Sequence, residues 1–123
     1  MKLVSNNLLL SATDLVSFLN CQHLTGLDQA VAQGKRAKPH SWNPALEILS
    51  QRGLAHEQSY VDHLRSIGLD VVEIDGVDVS GEAVAQTRAA MEQGASIIVQ
   101  AALSSHGWAG RAERAHRNMV ENL

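Results

Sequence analysis

Ser96-Ile97-Ile98-Val99-Gln100-Ala101-Ala102-Leu103, then Ser104-Ser105-His106-Gly107, then Trp108-Ala109-Gly110-Arg111-Ala112 is the stretch that decides the fold. Its first segment is rich in β-branched residues and reads as a strand. The second reads as a turn, and the third as the returning strand of a hairpin. Working back from the hairpin, Asp70-Val71-Val72-Glu73-Ile74-Asp75 alternates and reads as a short strand ended by Gly76. Between the two strand regions, Ser80-Gly81-Glu82 opens a helix that carries Val84, Ala85, Ala89, Ala90 and Met91 and ends at Gly94.

Two helical regions lie further upstream. Ser11-Ala12-Thr13-Asp14 is a helix start, with an acid three residues after the capping serine. Leu15, Phe18, Leu19, Leu24, Leu27, Ala30 and Val31 continue it at helical spacing, as one bent helix or two short ones about Cys21. Asn43-Pro44 starts the next helix, with Asn43 as cap and Pro44 at the first position. Its apolar stripe runs Leu46, Leu49, Gly53, His56, Tyr60, Leu64, Ile67, and Gly68 is its C-cap. Gly34 to Asn43 is a polar loop holding both prolines' approach and the basic residues Lys35, Arg36 and Lys38. After Ala112 the stretch Glu113 to Leu123 is polar and helix-friendly, with Arg111, Arg114 and Arg117 on one face. The expected class is α/β: N-terminal helices followed by a small partial sheet of about three strands, fewer than the usual four to six. One edge of that sheet is left without a covering strand.

Composition narrows the function. The 123 residues make one domain at most, and 45% apolar content is enough for a core. Aromatics are only 3%, namely Phe18, Trp42, Tyr60 and Trp108, which argues against a sheet of base-stacking rings. A net charge of -3 argues against a strongly basic nucleic-acid module, though not against a local patch. A single cysteine, Cys21, excludes an internal disulfide and a four-thiolate metal site. The run Leu8 to Leu10 is too short for a signal or membrane segment, so the expected location is cytoplasmic, with no membrane partner.

His56 is the first candidate for chemistry. It lies on the apolar stripe one turn beyond Gly53, with Glu57 beside it. A histidine facing a core must be hydrogen-bonded or ligated, and from spacing alone the hydrogen-bonded core histidine is the commoner outcome. Gly53 suggests a close approach of another backbone or a bound group. Cys21 with His23 has no closed zinc-site spacing, and a buried free cysteine is the simpler account. Glu113 follows the strand, with Gly110 just before, where a carboxylate could reach a divalent ion held by His56. An ordinary strand-end acid is the other reading, and the arginines around it can meet phosphate or face water.

Taken together, Leu8-Leu9-Leu10-Ser11-Ala12-Thr13-Asp14-Leu15 with Cys21, Arg52-Gly53-Leu54-Ala55-His56-Glu57, Ile98-Val99-Gln100-Ala101-Ala102-Leu103 and Gly110-Arg111-Ala112 resemble the N-terminal part of bacterial RecB-like nucleases related to the CRISPR-adaptation exonucleases. The resemblance spans about residues 8–112 of a single partial domain, 1–123, and the tail 113–123 is unlike the family. It implies a truncated PD-(D/E)xK, restriction-endonuclease-like fold acting on DNA. It also implies metal ligation by His56 and by Glu113, the latter in place of an aspartate and with a catalytic role. No Glu-x-Lys follows Glu113, so weak binding of Mg²⁺ or Mn²⁺ is the most the remaining pair implies. A 4Fe–4S cluster is implied by the family, with Cys21 matching its first cysteine, but this chain alone cannot build it. Three expectations follow: a nuclease fragment inactive alone, with its frame truncated or shifted after Ala112; a small interaction or homo-oligomerising module using the unfinished sheet edge; or a half-site completed by a complementing chain.

Overall fold

A computed structural model describes residues 1–117. The order is β1 (Lys2–Val4), β2 (Asn7–Leu9), α1 (Ala12–Asn20), α2 (Gln22–Ala32), α3 (Pro44–Ser66), β3 (Val71–Glu73), α4 (Gly81–Glu92), β4 (Ile97–Ser105) and β5 (Trp108–His116). The fold is mixed α/β. Strands β1 and β2 form a hairpin, and the second sheet has the order β3-β4-β5. β3 and β4 are parallel and joined through α4, as parallel neighbours require a crossover; β4 and β5 are the antiparallel hairpin.

The alternation of β4 builds two cores. Ile97 and Val99 pack with Val61 and Leu64 of α3. Ile98 packs with Ala83 and Ala90 of α4, together with Ile74, Ala95, Ala101 and Ala102. Successive side chains of a strand face opposite sides, so α3 and α4 cover opposite faces of the sheet. The alanines of α4 and β4 keep that helix close to the strand. α4 itself starts at Ser80, whose hydroxyl accepts from the Ala83 N–H at 3.1 Å.

The alternation then slips at one place. Ala101 and Ala102 both belong to the α4 core, and so do Ala112 and Ala115 of β5, at odd spacing. Arg114, between those two, lies 4.7 Å over the Tyr60 ring on the α3 side. The register runs from Ile97↔His116 to Val99↔Arg114, resumes at Ala101↔Ala112, and omits only Gln100 opposite Glu113. Gln100 has φ of 57°, in the left-handed region. Both strands therefore spend one residue on a shared bulge, which preserves their register while swapping the side-chain parity. A non-glycine residue held there costs about 1–3 kcal/mol, so its surroundings must hold it in place.

Hydrogen bonds show the same switch. Before Gln100, the Ile97 N–H donates to Asp70 of the β3 flank, and the Arg117 N–H donates to Ser96. β3 pairs with β4 only as far as Val99. Past that point side chains replace it: the Ala102 N–H donates to Thr87 Oγ1 at 2.9 Å, and Thr87 is 1% exposed.

Several expectations are corrected. The strand β5 continues through His116, so Glu113 lies inside a strand and 113–116 are not a helical tail. Pairing with β4 and burial of Ala112 and Ala115 override the polar composition; 118–123 lie outside the described residues. α3 buries Val61 and Leu64, while Leu46, Leu49, His56 and Tyr60 of the expected stripe are exposed. Only the C-terminal part of this 23-residue helix rests on the sheet. A Cβ on Gly53 would meet nothing within 4 Å, so no close approach explains that glycine. The N-terminal hairpin was not expected from the sequence. Its turn places Ser5 and Asn6 at φ of 48° and 64°, the two-residue turn that suits strand twist. Leu10 then accepts from the Ala109 N–H and donates to Gly107, both at 2.8 Å, which covers the first rung of the outer edge of β5. Cys21, with φ of -159°, separates α1 from α2 as two short helices.

The expected capping arrangement at α1 forms. The Ser11 N–H and hydroxyl each donate to Asp14 at 2.7 Å, and the Met1 ammonium lies 2.7 Å from the same carboxylate. Burial alone would push the Asp14 carboxyl up; the hydrogen bonds from the ammonium and from Ser11 outweigh it and hold the group below its ordinary value.

Two predictions follow from these contacts. Asp14 ionises more readily folded than unfolded, so its stabilisation is present above the unfolded pKa of about 3.9 and is lost as pH falls through the lower folded value. Urea denaturation between pH 6 and pH 3 should show a gap between the parent and Asp14→Asn that narrows over the acid limb. Thr87→Val, nearly isosteric, strands the Ala102 N–H and should cost about 1–3 kcal/mol in urea midpoints without changing the slope, while Thr87→Ser should recover most of it.

Candidate functional site in the α3–β4 cleft

Where α3 leaves the sheet, a cleft of about 330 Å³ opens. Leu54, Glu57, Gln58 and Val61 of α3 form one wall. Glu73, Gly76 and Val77 bound it on the side of β3 and its following loop. Val99 and Gln100 of β4 and Arg111 of β5 form its floor. A wider groove of about 500 Å³ between α1 and the β4–β5 hairpin is walled by Leu15, Leu103 and Trp108 and holds no titratable side chain. A third recess of about 400 Å³ shares Val77, Gln100 and Arg111 with the α3–β4 cleft and adds Met1, Lys2 and Asp78. The α3–β4 cleft brings Glu57, the Gln100 amide and the strained Gln100 backbone together.

Arg111 holds this cleft. Nη1 donates to the carbonyls of Ile74 at 3.1 Å and Gln100 at 3.0 Å. Nη2 donates to the carbonyls of Asp75 at 2.9 Å and Asp78 at 2.8 Å. The planar fork spans four acceptors that no ammonium could reach together. It fixes the loop after β3 and the left-handed Gln100 at once. Gly76, beside this fork, has φ of 93°, a conformation that side-chain-bearing residues rarely adopt, so the loop's backbone calls for glycine there. The Arg111 Nε is buried and has no partner among the described residues.

With its backbone so held, Gln100 reaches across the cleft and its Nε2 donates to Glu57 Oε1 at 2.9 Å. The other carboxylate of the cleft, Glu73, is bound to Arg65 Nη2 at 2.7 Å. That hydrogen bond holds the Arg65 guanidinium above its ordinary value. Gln58 is turned to Asp62 at 3.0 Å. Glu57 is thus the cleft's half-buried carboxylate whose bonded partner is a neutral amide.

None of the site residues expected from the sequence lines this cleft. His56 is exposed on α3, and its neighbour Glu57 takes the inward position, one helical step on. Glu113 is exposed on β5 at the shared bulge, opposite Gln100. Cys21 is an exposed free thiol at the junction of α1 and α2. Among the described residues no group of three His, Cys, Asp or Glu side chains is placed to hold a metal ion. The donor set therefore does not fit an iron–sulfur cluster, which needs four ligands, and among the described residues neither His56 nor Glu113 belongs to a group of three such side chains. No helix is long and apolar enough to cross a membrane, among the described residues.

Sequence reasoning missed Gln100 and the role of Arg111. One signal for Gln100 was visible: it is the lone polar residue within the apolar run Ile97 to Leu103. Nothing in the sequence pointed to four carbonyls converging on Arg111.

Arg111→Ala should strip those carbonyls of their donor and lower stability by about 2 kcal/mol or more, given the usual worth of charged hydrogen bonds. Amide hydrogen exchange should speed up across 74–78 and at Gln100. Arg111→Lys should recover only part of the loss; full recovery would show that charge alone, and not the fork, holds the loop. Comparison with known proteins finds no matching family model, no matching curated protein and no matching solved structure.

Proposed function

We propose that the chain is part of a metal-dependent RecB-like DNA nuclease of the PD-(D/E)xK fold, and that it does not cleave nucleic acid by itself. One observation carries this reading. The Gln100–Glu57 hydrogen bond ties the His56-Glu57 turn of α3 to the strand position opposite Glu113. That bond supports the reading because it links the helical turn that carries His56 to the strand pair that carries Glu113, the two residues that the resemblance implies as ligands.

A divalent ion at such a position would activate water and stabilise the leaving oxygen. What the chain's own residues contribute is narrower. His56 and Glu113 are the implied ligands, Glu113 is one methylene longer than the expected aspartate, and Gln100 with Arg111 fixes the turn and strand that carry them. The lysines are Lys2, Lys35 and Lys38, none of them in a Glu-x-Lys, so the usual lysine that steadies the developing charge has no counterpart in this sequence. Mg²⁺ or Mn²⁺ would bind weakly through two side chains. An intracellular setting suits an exposed single thiol, which stays reduced there.

A second reading is favoured by one feature. Leu10 covers only the first rung of β5, and among the described residues no strand pairs with the outer edge beyond it. Such an edge is a template for a second copy or for a complementing chain. Sedimentation across a wide concentration range should show self-association if this edge is used, and a constant monomer would count against a homo-oligomer.

Two measurements test the nuclease reading. The purified chain should leave single-stranded DNA intact with Mn²⁺, and Mn²⁺ should broaden NMR signals around His56 and Glu113 first. Cleavage that disappears in His56→Ala would overturn the inactive part. Broadening that avoids both residues would overturn the ligand assignment.

A further inference from the structure

We propose that the α3–β4 cleft is a binding pocket for a guanine base, with Glu57 and Gln100 reading its edge. The proposal rests on the nucleic-acid reading above for the nature of the ligand, and on the cleft itself for its specificity. Three observations carry it.

The first is the polar pair at the floor. Gln100 spends one amide N–H on Glu57 Oε1, which leaves its second N–H and the other carboxylate oxygen without partners among the described residues. A donor beside a carboxylate complements an edge that offers one acceptor beside two donors. Guanine offers this arrangement, with O6 next to N1–H and N2–H. Adenine would turn the N1 lone pair toward the carboxylate, cytosine would turn N3, and uracil or thymine offers a single N–H between two carbonyls. Carboxylate and amide contacts to the Watson–Crick edge of an unstacked base are the usual means of reading single strands.

The second is the pair of jaws. Leu54 on α3 and Val77 on the loop after β3 stand on opposite elements at the mouth of the cleft and are 63% and 94% exposed. Val77 is the most exposed large apolar side chain among the described residues. A flat base between them would cover both, and a cleft of about 330 Å³ has room for one base and its sugar.

The third is pre-organisation. Gln100 adopts an unfavourable backbone conformation, its carbonyl is held by Arg111, and from that conformation its amide meets Glu57. Strain retained beside a polar cleft marks a place where geometry is used.

The test is NMR titration of the whole chain with GMP, AMP, CMP and UMP, and with two single-stranded DNA hexamers that differ by one guanine. GMP should bind at least tenfold tighter than the other three, and IMP, which lacks the N2 amine, should fall several-fold below GMP. Glu57→Gln should erase the preference. Val77→Asp, at a position too exposed to disturb folding, should weaken GMP about tenfold and move its cleft signals. Equal affinity for GMP and AMP, no GMP binding at millimolar concentration, or an unchanged preference in Glu57→Gln each overturns the pocket. Guanine preference in the nucleotides but not in the hexamers assigns the pocket to free nucleotide and overturns only the strand-reading role. Binding of GMP with no Mn²⁺ effect at His56 keeps the pocket and removes the ligand assignment of the nuclease reading; Mn²⁺ at His56 and Glu113 with no base preference keeps that assignment and removes the pocket.

Discussion

The guanidinium of Arg111 donates to the carbonyls of Ile74, Asp75, Asp78 and Gln100, and it is the contact on which the shape of the sheet depends. β3 is three residues long and stops pairing at Val99, yet β4 runs on to Ser105. A strand that outlasts its neighbour exposes backbone groups that must be satisfied or cost free energy. Thr87 satisfies the Ala102 N–H from α4, and Arg111 satisfies the Gln100 carbonyl from β5. The two side chains stand where a longer β3 would have been. The cleft exists because they fill the edge of β4 without filling the space above it.

The same constraint explains the bulge. If β4 and β5 alternated strictly to their ends, Arg111 and Arg114, three residues apart, would face opposite sides of the sheet. Both are instead engaged toward α3 and the loop after β3, Arg111 on carbonyls and Arg114 on Tyr60. One residue in each strand is out of step, and the register survives because both strands slip together. The cost falls on Gln100, which has no glycine-like freedom to absorb it.

How far this was legible follows from which forces were local. The β4–β5 hairpin, β3 and α4 could be read because branched residues, turn residues and the Ser80 cap act within a few positions. The capping box at Ser11 and Asp14 is local for the same reason. The α3 stripe misled because periodicity says which residues share a face, and only contact says which part of that face is used. Just the end bearing Val61 and Leu64 meets the sheet, which turns Glu57 inward and leaves His56 outside. The strand identity of Glu113 to His116 was hidden because long-range pairing with β4, not composition, sets it. The β1–β2 hairpin escaped because each strand has three residues and its turn uses Ser5-Asn6 rather than a glycine. Of the site, the turn carrying His56 and Glu57 was legible; the partner that orients it, Gln100, was visible only as an unexplained polar residue.

The disposition of the arginines bears on what kind of nucleic-acid contact such a chain could make. Arg65 is bound to Glu73, Arg111 to four carbonyls and Arg114 to the Tyr60 ring. The arginines at and around Glu113 that the sequence suggested for phosphate are thus committed within the fold in two of these cases. Lys35, Arg36 and Lys38 form an exposed basic cluster in the loop before α3, and Arg52 and Arg88 are exposed as well. With a net charge of -3, the phosphate backbone can supply only part of the attraction that usually dominates nucleic-acid binding. Any selectivity must then come from a shaped, partly apolar recess with a few fixed polar groups. The α3–β4 cleft has that construction, and its polar groups owe their positions to the arginine that is not available to phosphate.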